Sequence, residues 1–105
     1  MIERRVTFEV HPGKEKDFET LFAEGYAPAM SRQPGFVSVT LLCDQEKPSV
    51  YQMAIRFDSL ETAALWRASA AHQELAPRIK ALYGASSLQV YEVVHLVQID
   101  KEKEK

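Results

Sequence analysis

The chain states one local pattern twice. A strand-like run from Val6 to Val10 leads into a helical segment containing Pro28, a stop at Gly35, and a second strand opening at Phe36. The second half repeats the order: a strand over Val50–Phe57, a helical segment containing Pro77, a stop at Gly84, and a strand over residues 88–97. Proline and glycine stand seven residues apart in both halves. A strand-helix-strand unit repeated within one short chain predicts βαββαβ, the ferredoxin-like arrangement of the α+β class. The expected sheet is antiparallel and four-stranded in the order 4-1-3-2, with both helical segments on one face. Helix is then available for one face only.

The periodicities carry the detail. Val6, Phe8 and Val10 alternate with Arg5, Thr7 and Glu9, the signature of a half-buried strand. After His11-Pro12-Gly13, Phe18, Leu21, Phe22, Gly25, Tyr26 and Ala29 recur at helical spacing. Pro28 removes a helical hydrogen bond and crowds Glu24, which predicts a bend near Gly25. Val37, Val39 and Leu41 share the inner face of the second strand, and Tyr51, Met53, Ile55 and Phe57 that of the third. Asp58 and Glu61 have the spacing of a capping box opening the second helix. Ser69 caps a fresh turn carrying His72, Leu75 and Ile79, and Pro77 predicts a further break. The last strand reads as apolar on both faces: Leu88, Val90, Val94 and Leu96 on one, Tyr91, Val93, Val97 and Ile99 on the other. Two apolar faces need cover on both sides, and a second copy of the sheet across a two-fold axis is the expected cover.

At 105 residues the chain is one domain, expected over residues 1–100 with a solvated charged tail at 101–105. A formal net charge of -2 without a basic stripe argues against nucleic acid as partner. No apolar run is long enough to span a bilayer, so no membrane partner is expected. The opening residues run into alternating strand rather than a signal peptide, and Cys43 is the only cysteine. The expected setting is the reducing cytoplasm. A single cysteine and the absence of ligand spacing leave no metal site to assign.

The candidate functional residues are large, polarisable or titratable groups placed to gather between sheet and helices. Trp66 is either a core residue or a stacking surface with one N–H donor. His72 is either a partly exposed helix-start residue or a general base. Arg56 is either an ion-pair partner of Glu9 or Glu92 or an anchor for negative charge. Tyr26, Tyr51 and Met53 pack or line the ligand space. His11 and His95 have no companion in sequence and read as structural.

Several pieces, in this order, resemble the antibiotic biosynthesis monooxygenase family. They are Val10-His11-Pro12-Gly13 with Phe18 and Leu21 following, Gln33-Pro34-Gly35-Phe36, Phe57-Asp58-Ser59, and Trp66 followed by Ser69 and His72. Together they cover most of residues 6–97. The resemblance implies a ferredoxin-like protomer paired into a dimeric α/β barrel, with a small ligand pocket between sheet and helices. Enzymes of this family oxidise aromatic polyketides or quinols with molecular oxygen and without metal or flavin, or else cleave haem. Trp66 matches the family's helix tryptophan, and Thr62 stands where the polyketide-oxidising branch places an asparagine. The chain contains no asparagine, and Ala76 occupies the position of the haem-cleaving branch's histidine, so haem binding or degradation is disfavoured.

The resemblance thus implies a cofactor-independent monooxygenase acting with O2 on a small aromatic or quinol-like substrate. Trp66, His72 and Arg56 are the candidate catalytic residues. Trp66, Tyr26, Tyr51, Met53, Thr62 and Phe22 are the candidate substrate contacts. The alternative is a homodimeric, stress-associated domain that binds a small aromatic molecule without turning it over.

Overall fold

The computed structural model describes residues 1–99; the charged tail expected at 101–105 lies outside them. The elements are β1 (Ile2–Val10), α1 (Glu15–Leu21), a π-helical turn (Phe22–Tyr26), α2 (Ala27–Ser31), β2 (Phe36–Cys43), β3 (Val50–Phe57), α3 (Leu60–Ala68), α4 (Ala70–Lys80) and β4 (Tyr83–Glu92). The strands form one antiparallel sheet in the order β2-β3-β1-β4. This is the ferredoxin-like arrangement read from the duplicated pattern.

Register explains which side chains meet. Val6 lies opposite Met53 and Leu88, Phe8 opposite Tyr51 and Ser86, and Arg4 opposite Ile55 and Val90. The even-numbered residues of β1 therefore share the inner face with the alternating Tyr51, Met53, Ile55 and Phe57, all four of which are buried. Phe18, Leu21, Tyr26, Met30, Ala63, Trp66, Leu75 and Ile79 close over that face from the helices. One end of this core is aromatic: Phe18 packs at 5.1 Å from both the Phe8 and Tyr51 rings. The outer face is polar. There the Glu3 carboxylate accepts from Arg56 Nε at 2.6 Å and Arg5 Nε at 2.5 Å, and the two guanidinium groups hold its pKa below the ordinary range.

The two proline-containing segments depart from each other: the first is interrupted near Gly25 as expected, and the second is not interrupted at Pro77. The bend near Gly25 is a π turn, which carries the helix into α2 with Pro28 in its first turn, where a missing N–H costs little. Gly25 lets α4 approach closely, since a Cβ there would stand 2.9 Å from Leu75 Cδ2. Pro77, by contrast, does not break α4. Pro77 and Gln73, whose carbonyl it leaves without a helical donor, are both exposed, so water can satisfy that carbonyl. The real break is at Ser69, whose extended backbone separates α3 from α4.

Four smaller corrections follow from local hydrogen bonding. The cap of α3 is Ser59, paired reciprocally with Thr62, and Asp58 instead accepts the Thr62 hydroxyl proton at 2.7 Å. A bulge between Phe36 and Ser38 turns Val37 outward, so Phe36 takes its place above Phe57. Gly84 lies inside a strand rather than ending a helix, because β4 starts at Tyr83, opposite Val10. That strand ends at Glu92, so residues 93–99 continue outside it. The two-faced strand of residues 88–97 is therefore an edge strand followed by an apolar extension. Gly35 does stop the first helical half: its φ is +76°, and a Cβ would fall 2.6 Å from Thr62 Cβ, which leaves room for no other residue.

Candidate active site

The break at Ser69 builds the site. In one continuous helix, residues six apart point roughly 120° away from each other. The interruption instead lets Trp66 and His72 meet edge to face, with ring centroids 5.1 Å apart. Ser69 joins the two helices: its hydroxyl donates to the Trp66 carbonyl at 2.7 Å and accepts from the His72 backbone N–H at 3.2 Å. Tyr26, delivered by the π turn, completes the cluster at 6.3 Å from Trp66 and 6.5 Å from His72.

These three rings form one wall of a cavity of about 310 Å³ between the inner sheet face and the helices. That volume falls at the small end of the usual range for small-molecule sites, ~300–1,000 Å³. Val6, Phe8, Met30, Met53, Ile55 and Leu88 supply its apolar surface, and Arg4, Arg67 and Lys80 supply positive charge.

Its polar groups are unusually free. Among the described residues, the Trp66 indole N–H, the His72 ring nitrogens, the Tyr26 hydroxyl and the Arg4 guanidinium have no protein hydrogen-bond partner. No side-chain nitrogen or oxygen among the described residues that is sealed from solvent lacks one, so these groups keep contact with accessible space, and their residues line the cavity. Most buried polar groups in folded proteins are paired, and several unpaired ones converging on one cavity mark a place where something else binds.

Electrostatics set the protonation states. Burial, then the positive charges of Arg4 and Arg67, lower the His72 pKa below its ordinary value of 6.5. The imidazole is thus neutral near pH 7 and able to take up a proton. Burial, with a smaller contribution from Tyr83, pushes the Tyr26 hydroxyl up to about 12, so it stays a neutral donor.

Of the residues singled out from sequence, the structure brings Trp66, His72, Tyr26 and Met53 to this cavity. The other four lie elsewhere. Arg56 sits on the outer sheet face, bound to Glu3 rather than to Glu9 or Glu92. The Tyr51 hydroxyl donates to Glu19 at the far end of the core, and Phe22 lies on that side too. Thr62 has its hydroxyl held in the α3 cap. Sequence reasoning missed Arg4, Arg67 and Met30. Arg4 occupies an inner-face position of β1, but one that lies before the Val6–Val10 alternation.

Comparison with known proteins fits this geometry. The family model for antibiotic biosynthesis monooxygenase matches residues 1–78. The chain belongs to the antibiotic biosynthesis monooxygenase family. Its fold superimposes on SnoaB, a cofactor-independent oxygenase from Streptomyces nogalater, with a TM-score of 0.82 at 26% identity, covering 91% of this chain and 95% of that one. A Bordetella bronchiseptica protein assigned to antibiotic biosynthesis monooxygenases gives 0.81 at 24% identity over 90% and 97% of the two chains. A Deinococcus radiodurans protein with the same assignment gives 0.82 at 16% identity over 95% and 99%. At those lower identities the likeness speaks for the fold alone. No curated protein matches the chain in sequence. No helix among the described residues is long and apolar enough to cross a membrane.

Proposed function

We propose that this family member is a cofactor-independent monooxygenase that binds a small aromatic or quinol-like substrate between sheet and helices and oxidises it with O2. The observation that carries the proposal is the pairing, at one helix break, of a neutral imidazole with an indole and a phenol whose donors are unspent. An activated aromatic with an acidic C–H or O–H lies in the cavity beside the Trp66, Tyr26 and His72 cluster and gives a proton to His72. The resulting anion is electron-rich enough to pass an electron to O2 directly, and radical recombination forms a carbon–oxygen bond. The peroxide then takes back the proton and loses water, so that a CH2 group and O2 become C=O and H2O. The protein's contribution is to orient the ring, take the proton and stabilise negative charge.

The test is oxygen uptake by purified protein with a panel of anthrones and hydroquinones. Substrate-dependent uptake above the uncatalysed rate supports the proposal. Ligand binding without uptake favours the binding-only alternative. One observation favours that alternative: Thr62, at the position where the polyketide-oxidising relatives carry an amide, offers the cavity nothing.

We also infer that the protein acts as a homodimer. Leu88, Val90 and Tyr91 on β4, with Val94, Leu96, Val97 and Ile99 beyond it, form a string of exposed large apolar residues along one sheet edge. An open, apolar edge of this kind is a surface made for covering. The apolar surface is at the edge and the extension, while the outer sheet face is polar. Sedimentation at micromolar concentration should give twice the chain mass, and Val97→Asp should shift the population toward monomer. A monomer at all accessible concentrations would refute this inference.

A further inference from the structure

Arg4 is the one inner-face residue of β1 that carries a charge. It is 9% exposed and, among the described residues, has no carboxylate partner. Charged side chains are rarely buried to this extent unless paired, because desolvating a lone cation is unfavourable. Nor do its neighbours relieve the charge. Arg67 stands close enough to lower the Arg4 pKa further after burial, and Lys80 lines the same cavity. The outer face shows how this chain treats an arginine meant for structure: Arg5 and Arg56 share the Glu3 carboxylate. Arg4 lies on the opposite face and lines the cavity with Trp66 and His72.

We propose that Arg4 is a substrate-binding residue, and that the ligand of this cavity is an aromatic acid whose carboxylate pairs with its guanidinium. The fork of guanidinium donors matches the two oxygens of a carboxylate, and in a low-dielectric cavity such a bond is strong as well as directional. The apolar surface from Val6 to Leu88 receives the rings, while Arg4 fixes which end of the molecule enters. A bound carboxylate also offsets one of the charges that hold His72 unprotonated, so an acidic substrate makes its own base stronger. The proposal rests on the reading of this cavity as the ligand site.

The test uses the full chain and a matched pair of probes, naphthoate and its uncharged analogue naphthamide, followed by quenching of Trp66 fluorescence near neutral pH. Naphthoate is expected to bind about tenfold or more tightly than naphthamide. Arg4→Met should erase that preference by weakening naphthoate far more than naphthamide, and Arg4→Lys should restore part of it. Arg4→Met also fills the site with an apolar side chain of similar length, so the free variant should melt higher than the native protein, which guards against a trivial loss of fold. Equal binding of the two probes to the native protein, or a preference that survives Arg4→Met, would overturn the assignment and leave the cavity reading intact. If Arg4→Met lowers turnover but the probes are not discriminated, Arg4 serves an anion formed during reaction, and the acid-substrate proposal is wrong. If neither probe binds, the cavity reading fails and this inference with it.

Discussion

His72→Ala is expected to lower turnover by about a hundredfold or more, the scale of losing a general base, with ligand affinity changed far less. The split between rate and affinity is the informative part, because His72 also packs edge to face on Trp66 and a purely structural role would move both together. The pH dependence has a definite sign. The His72 pKa is lowered in the folded protein from the ordinary 6.5. Activity should therefore persist through neutral pH and fall only as acidification protonates the imidazole. Stability follows the same group: between the lowered folded value and 6.5, the unfolded chain binds the extra proton, so stability rises with pH in that window. The contribution is complete above the unfolded value and lost as pH falls toward the folded one. Melting curves on either side of that window should show the native protein losing more on acidification than His72→Gln. A pH–rate profile that ignores the substitution would remove His72 from the chemistry.

Trp66→Ala should show the largest stability loss of any single change considered, about 3–5 kcal/mol, the usual range for deleting a fully buried tryptophan. Trp66 is 1% exposed and packs against Tyr26 and His72, so truncation enlarges the cavity and removes the support of its aromatic wall. Chemical denaturation gives the stability directly. Trp66→Phe separates the two roles: it keeps an aromatic ring in the core while losing the indole N–H and part of the ring volume, so it should retain the fold at a smaller stability loss than Trp66→Ala while weakening ligands that accept that hydrogen bond most. Should Trp66→Phe bind every aromatic probe as tightly as the native protein, the indole donor plays no part in recognition.

The topology was legible because it rests on repetition and period, which are local. Alternation in Tyr51, Met53, Ile55 and Phe57 and the three- and four-residue spacing of Phe18, Leu21, Tyr26 and Ala29 each report one buried face, and all of these residues pack into the core. The meeting of Trp66 and His72 was only half visible. Ser69 was readable as a cap, but its consequence, two rings in contact across a break, depends on the angle between α3 and α4. Pro77 misled because a proline's effect depends on whether the carbonyl it strands faces water or core, which residue order does not state. Val37 and Gly84 went astray through a bulge and a strand register that are fixed by pairing partners far away in the chain. Arg56 does form an ion pair, but with a different carboxylate for a related reason: its partner, Glu3, is 53 residues away in sequence but lies directly opposite it in the sheet. The complementary oversight was Arg4. It lies before the Val6–Val10 run that the alternation marks, and only the register of a strand beginning at Ile2 puts it on the inner face, opposite Ile55 and Val90.

The central claim is that this cavity alone, acting on substrate and O2, inserts oxygen. The most direct measurement supplies isotopically heavy dioxygen to protein stripped of flavin and treated with a metal chelator, with an anthrone as substrate, and follows the product by mass spectrometry. The account predicts one heavy oxygen atom in each product molecule, the second recovered in water, no accumulating hydrogen peroxide, and loss of the signal in His72→Ala. Product labelled from water instead, or stoichiometric hydrogen peroxide with no label incorporated, would contradict it.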